Sequence, residues 1–157
     1  MAKALSTRQP WLELILQGRK TIEVRTWKTR YRGPLLLHSS RAVDPNACQR
    51  FGLEPDCLTV GAIIGLVTIV DCLAFTEASW STLSAAHLNT GGFRPGLMAW
   101  VLREPQKIQP ISFRGRLGLF EVPDHLVSGL RLTQHGYIDR VGVRGLPVSL
   151  DKCEDAL

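Results

Sequence analysis

The segment at positions 18–27 reads GRKTIEVRTW and carries the clearest pattern in this sequence of 157 residues. From Thr21 to Arg25 the chain alternates strictly, because Ile22 and Val24 are apolar while the residues on either side of them are polar. Successive side chains of a β-strand point to opposite faces. The alternation therefore predicts a strand with a core side and a polar side.

Three charged side chains of this segment are candidates for a functional site. Lys20 lies at the mouth of the predicted strand, and Glu23 and Arg25 share its polar face. If that face lines a cavity, the three groups converge, and a carboxylate flanked by two cations stays ionised. The alternative is an ion-pair ladder on the surface, which contributes little to stability. A functional site here requires the polar face to turn inward onto a pocket.

Composition and charge narrow the possible classes of protein. The chain is 45% hydrophobic and 21% charged, so it can bury the core of a single domain, which excludes disorder over most of its length. Its 19 Lys and Arg exceed its 14 Asp and Glu, and six of the basic residues lie between positions 19 and 32. Such a cluster attracts polyanions, of which nucleic acid is the commonest. The alternative is a basic protein whose positive charge serves no polyanionic ligand.

Other classes are excluded by what the sequence lacks. The longest nearly apolar run, Val60 to Val70, is about half of the roughly 20 residues that cross a bilayer, and no secretory signal is visible. The cysteines form no Cys-x-x-Cys pair and have no matching histidine spacing, so neither a zinc site nor a disulfide framework is indicated. We expect a cytoplasmic protein with free thiols, without a metal, a cofactor or a membrane partner.

The remaining elements are several short strands and helices. Pro10 suits the first turn of a helix capped by Ser6 or Thr7, and Gly18 suits its end. The other predicted elements are strands at 4–6, 35–39, 61–72 (bent at Gly65) and 97–102, one or two more strands within 110–122, and helical segments at 44–51, 79–87 and 124–128. This mixture indicates a small α+β barrel.

Aromatic residues are interleaved with the basic cluster. Basic groups hold phosphates, while aromatic rings stack on unpaired bases. Trp27 and Tyr31 follow Arg25 in a predicted loop, and Arg32 comes next, whereas Trp11 fits the core face of the first helix. The predicted ligand-binding residues are therefore Arg25, Trp27, Tyr31 and Arg32.

Several short motifs resemble those of the ASCH domain family, whose fold is similar to that of PUA RNA-binding domains. They are ALSTRQPW at 4–11, the segment at 18–27, YRGP at 31–34, LHSS at 37–40, GLMAWVL at 96–102 and FRGRLGL at 113–119. The resemblance implies a small PUA-like mixed β-barrel with flanking helices over residues 1–125. Residues 126–157 form an extension that is either an added strand pair or a loose tail.

The same resemblance implies a cleft beside the 18–27 segment and adds Gln9, His38 and Ser39 to the candidate ligand-binding residues. A histidine at the end of a strand is nevertheless more often structural. The leading interpretation is a module that binds RNA, single-stranded nucleic acid or a nucleotide. Basic groups would hold a phosphate or a base edge, Glu23 would either accept a hydrogen bond from an exocyclic amine or orient the cations, and Trp27 or Tyr31 would stack.

The alternative interpretation is a hydrolase of RNA or of an acylated nucleoside. One branch resembling this chain, the small acetylcytidine amidohydrolases of bacteria, uses a Lys, a Thr and a Glu. Only the Lys is kept, at Lys20, since the Thr position falls on Glu23 and the Glu position near Gly91. That mechanism cannot run unchanged without its hydroxyl, so an enzyme would use Lys20 and Glu23, with the carboxylate activating water. A third interpretation, a protein-interaction domain whose basic face meets an acidic partner, is supported by charge alone. The sequence does not determine the oligomeric state.

Overall fold

A computed structural model describes residues 1–128, 130–132 and 137–140, and it shows a mixed α+β fold. Its elements in chain order are β1 (Ala2–Gln9), α1 (Trp11–Leu16), β2 (Ile22–Arg25), β3 (Gly33–Val43), α2 (Pro45–Phe51), a 3-10 turn (Pro55–Cys57), β4 (Ala62–Ala74), α3 (Glu77–Thr82), α4 (Ser84–His87), β5 (Met98–Ser112), β6 (Leu119–Val122), α5 (Asp124–Val127), β7 (Leu130–Leu132) and β8 (Tyr137–Arg140).

The eight strands form one sheet. Their order is β6-β1-β3-β4-β5-β8-β7, and β2 pairs with β5 beside this path. Strand β1 runs parallel to β3, while β3, β4 and β5 pair antiparallel in succession. Among the described residues the pairings make an open path instead of a ring. The α+β class is therefore confirmed, but closure into a barrel is not.

The junction of β1 and α1 differs from the predicted capping. Ser6 and Thr7 lie inside β1, so neither caps the helix. The side-chain oxygen of Gln9 instead accepts a hydrogen bond of 3.0 Å from the backbone N–H of Glu13. At the other end Gly18 adopts a φ of +74°, which lets the chain leave the helix as predicted.

Packing of α1 on the sheet depends on Gly65 in β4. A Cβ at this position would lie 2.3 Å from a methyl carbon of Leu16 and 2.7 Å from the backbone oxygen of Gln106. The missing side chain therefore makes room for Leu16 and for the neighbouring strand. The register of β4 against β5 shifts between Ile63 and Gly65, so the strand pairing is irregular at the position where the sequence predicts a bend. The main core cluster includes Leu16 and the fully buried Trp100.

Three predicted segments have other boundaries in the structure. Strand β5 has 15 residues and contains most of the segment at 97–102 but only the first three residues of that at 110–122, whose end forms the separate strand β6. Several register shifts let β5 stay paired over that length. The helix predicted at 79–87 is two short helices, the first of which begins at the capping residue Thr76. Asp44 caps α2, as the sequence indicates.

The segment beyond residue 125 contains an antiparallel strand pair, β7 with β8, and β8 also pairs with β5. The domain boundary at residue 125 stays a prediction, and residues 141–157, for which a loose tail was the alternative, lie outside the described residues.

Cys48 and Cys72 are free and buried. Cys57 is disulfide-bonded, so the prediction of free thiols is wrong there. No helix in the described segments is long and apolar enough to cross a membrane.

Candidate functional site

The polar face of β2 turns into the protein, as the functional interpretation of the 18–27 segment requires. Lys20 is only 2% exposed, and its Nζ lies 3.6 Å from Oε2 of the buried Glu23. The other carboxylate oxygen of Glu23 lies 3.1 Å from Nη2 of Arg25. The three groups, called here the buried charge cluster, therefore lie side by side and not on an open surface.

Lys20 is held chiefly by residues that are distant in sequence. Its Nζ donates hydrogen bonds to the backbone oxygen of His87 at 2.6 Å and to Oδ1 of Asn89 at 3.2 Å. It also lies 5.5 Å from the centre of the Trp11 ring. Burial lowers the pKa of Lys20, and the neighbouring Glu23 carboxylate opposes that change.

Arg25 joins the buried charge cluster to β1. Its Nη2 donates to the backbone oxygen of Ser6 at 2.8 Å and to Oγ1 of Thr7 at 3.0 Å, while its buried Nε has no hydrogen-bond partner among the described residues. With two cations and one carboxylate, the cluster has a formal excess of one positive charge. A partly buried charge excess attracts an anion more strongly than a solvated one does. The site is therefore suited to a negatively charged ligand.

A cavity of about 640 Å³ opens beside the cluster, between β2 and the loop that precedes β5. Its lining residues are Val24, Arg25, Thr26, Trp27, Trp80, Asn89, Gly91, Gly92, Phe93, Arg94 and Leu97. Lys20 and Glu23 do not line it. Their contact with the cavity is through two neighbours, Arg25 and Asn89. The candidate site thus has a cationic and aromatic wall backed by buried charges.

Two indole rings of this wall are fixed by packing. Trp27 meets Trp100 edge to face, with ring centres 4.5 Å apart, and Trp100 Nε1 donates to the backbone oxygen of Trp27. Trp80 stacks on His87 at 4.0 Å. Rings held in this way lose little conformational freedom when a planar ligand stacks on them.

Sequence reasoning identified Arg25 and Trp27 in this wall but missed Trp80, Asn89, Phe93 and Arg94. The glycine pair at 91–92 was an available signal, since it marks an exposed loop that can approach a ligand. Nothing local distinguished Trp80, because a tryptophan in a predicted helix reads equally well as a core residue. Arg94 is exposed and forms no ion pair with a described residue.

The other predicted residues lie away from this cavity. Arg32 pairs with Asp71 at 3.1 Å, and the Tyr31 hydroxyl donates to the backbone oxygen of Pro34. The fully buried Gln9 and Ser39 side chains both donate to the backbone oxygen of Thr59. In this structure they anchor the chain around Thr59 to β1 and β3.

His38 lines a different cavity, together with Ser6. Its Nε2 lies 2.9 Å from the backbone oxygen of Phe113, and its Nδ1 lies 3.1 Å from Oγ of Ser6. A carbonyl oxygen only accepts, so Nε2 donates to Phe113, while Nδ1 shares a hydrogen bond with the Ser6 hydroxyl. His38 therefore ties β1 and β3 to the segment after β5.

His87 makes the cavity wall sensitive to acid. Its Nε2 donates to the backbone oxygen of Trp80, and its Nδ1 accepts from the backbone N–H of Asn89. Burial lowers the pKa of His87 from its usual 6.5. A proton on Nδ1 would remove the bond to Asn89, whose side chain holds Lys20.

Acidification is therefore expected to destabilise the protein through His87. The unfolded chain binds a proton near pH 6.5 and the folded chain only at lower pH, so this contribution is complete above 6.5 and is lost as the pH falls. Urea unfolding between about pH 7.5 and 5 measures it. His87→Gln should flatten this dependence, while His125→Gln, at an exposed position, should not. Equal slopes in both variants would contradict the assignment.

Comparison with known proteins gives one family match. The ASCH domain family matches residues 5–112. Activating signal cointegrator 1 of Homo sapiens is 30% identical over an alignment of 83 residues, which covers 45% of this chain and only 14% of the human protein. The chain therefore corresponds to a small part of that relative.

Two solved structures of the ASCH protein from Zymomonas mobilis share the fold. The first has 16% identity and a TM-score of 0.61, and the match covers 81% of this chain and 91% of that one. A mutant of the same protein has 15% identity and a TM-score of 0.60, with 81% and 94% covered. The likeness is one of fold.

Proposed function

Because this chain belongs to the ASCH domain family, we propose that it binds RNA or a modified nucleotide in the cavity beside β2. One observation carries the proposal, namely that the cavity combines two guanidinium groups with two fixed indole rings over the buried charge cluster. Phosphates and bases need those two kinds of partner together. A cytoplasmic location belongs to the same proposal.

The cationic part of the wall would hold a phosphate. Arg25 supplies a guanidinium that lines the cavity, and Arg94 adds an exposed one from the opposite loop. Glu23 would keep Arg25 in place from behind, because its carboxylate is buried and does not line the cavity. One guanidinium group can donate two parallel hydrogen bonds to two oxygens of a phosphate, which orients the ligand as well as attracting it.

The aromatic part would hold the base. Trp27 and Trp80 line the cavity, and stacking on such rings contributes about 1–3 kcal/mol per base. Asn89 lines the cavity and accepts from Lys20 through Oδ1, so its NH₂ group is the part of the amide that can donate to a ligand. That group would meet an acceptor on the edge of a base, such as a pyrimidine carbonyl.

Replacing Arg94 with alanine tests the proposal without disturbing the fold, because this side chain is exposed and unpaired within the described structure. We expect single-stranded RNA to bind about tenfold more weakly, as for the loss of one charged contact. Fluorescence anisotropy at fixed salt measures the change. Arg103→Ala removes the same charge from an exposed position on β5 outside the cavity and should leave binding nearly unchanged. Equal effects of the two substitutions would refute the cavity as the binding site.

The hydrolase alternative is favoured by one observation, the lowered pKa of Lys20, which makes a neutral amine more available for proton transfer. Against it, Lys20 and Glu23 reach the cavity only through Arg25 and Asn89. Incubation with acetylcytidine separates the two functions. Release of acetate that Lys20→Met abolishes would support the enzyme, whereas binding without turnover supports the binding module.

A further inference from the structure

A second cavity, of about 980 Å³, lies where the end of β3 meets the segment after β5. Its lining residues are Ser6, His38, Ser40, Arg41, Gly61, Ser112, Phe113, Arg114, Gly115, Arg116 and Leu117. Three of them are exposed arginines, and no carboxylate is among those described. None of the three forms an ion pair with a residue that the structure describes. We call this cavity the arginine cleft.

The walls of the arginine cleft are held in place by buried contacts. His38 bonds both Ser6 and the backbone of Phe113, so it joins one wall to the other. Gly115 lies directly against that pair, because a Cβ there would be 2.4 Å from Cε1 of His38 and 2.6 Å from Oγ of Ser6. Only glycine allows this approach. The backbone between Arg114 and Arg116 is therefore positioned by packing.

The arginine cleft and the cavity beside β2 have β1 in common. Ser6 lines the cleft with its side chain, while its backbone oxygen accepts from Arg25, which lines the other cavity. Ser6 therefore connects the two sites through β1, and the two cavities share no lining residue. Because no lining residue is shared, a ligand in contact with both cavities has to be longer than a mononucleotide.

We propose that the arginine cleft binds the phosphodiester backbone of a single-stranded polynucleotide, one nucleotide of which occupies the cavity beside β2. This inference rests on the proposed function and extends it, since it makes the ligand a polymer. Arg41, Arg114 and Arg116 neutralise successive phosphates without reading bases. Each such contact releases counterions and so makes binding more dependent on salt.

The test compares an oligouridylate of about 12 nucleotides, within the usual range of site sizes, with uridine monophosphate. The double variant Arg114→Ala/Arg116→Ala is titrated with each between about 50 and 200 mM salt. We expect the oligonucleotide to bind roughly tenfold more weakly and the magnitude of the slope of log affinity against log salt to fall by about 1.4, which is about 0.7 for each lost phosphate contact on a single strand. Affinity for the mononucleotide should not change. Arg50→Ala/Arg103→Ala, at two exposed positions outside both cavities, should leave the slope unchanged.

A second variant moves the arginines without removing charge. Gly115→Ala should displace the segment from His38 and weaken oligonucleotide binding while mononucleotide binding remains. An unchanged salt slope in the double arginine variant, or an equal loss of mononucleotide binding, would overturn the arginine cleft and leave the proposed function standing. If the native protein binds neither probe, the proposed function itself fails.

Discussion

Replacing Lys20 with alanine is expected to lower the free energy of unfolding by about 3–5 kcal/mol, a large part of the usual stability of a domain. The substitution removes the hydrogen bonds to His87 and Asn89, leaves Glu23 with Arg25 as its remaining partner, and creates a cavity beside β2. Urea denaturation followed by circular dichroism measures the loss.

Two further variants separate the causes. Lys20→Met keeps most of the side-chain volume, so it should lower the free energy of unfolding by less, about 1–3 kcal/mol. The remaining loss arises because the backbone oxygen of His87 and Oδ1 of Asn89 no longer accept a hydrogen bond from Lys20. Lys3→Ala removes a lysine from an exposed ion pair with Glu121 and should cost less than about 1 kcal/mol. If Lys20→Ala were no more damaging than Lys3→Ala, the ammonium group could not be part of a buried network.

The largest expected effect on binding comes from Arg25. Its guanidinium lines the cavity and is held by Glu23, Ser6 and Thr7. We expect Arg25→Ala to weaken binding of single-stranded RNA by about 100-fold, from the loss of an oriented charged partner. Fluorescence anisotropy measures it, and thermal melting checks that the variant stays folded.

Arg25→Lys tests whether geometry matters beyond charge. Lysine keeps the positive charge but lacks the planar fork that contacts Glu23 and β1 together, so binding should recover only partly. Lys28→Ala removes an exposed charge from the same basic segment and should change affinity no more than about threefold, as a rim contact does. A similar loss in Lys28→Ala would mean that general charge, and not the cavity, attracts the ligand.

Local patterns in the sequence were sufficient for much of the fold. Gly18 ends α1, Asp44 caps α2 and Gly65 marks an irregularity in β4, because each effect depends on backbone conformation over a few neighbouring residues. The boundaries of β5 were harder to predict, since pairing with β4 across several register shifts keeps a polar segment extended.

For the candidate site, too, local sequence patterns predicted one part and contacts between distant residues decided the other. Alternation in the 18–27 segment established which residues share a face, and the motif set established the family. Contacts between distant parts of the chain decided the rest of the site. Lys20 donates hydrogen bonds to His87 and Asn89, and Arg32 forms an ion pair with Asp71. Trp80 and Arg94 complete the cavity wall. The alternation of residues along a strand predicts which side chains share a face, but it does not predict which other elements pack on that face. Only the packing of α4 and the loop before β5 decided that the charged face of β2 is buried.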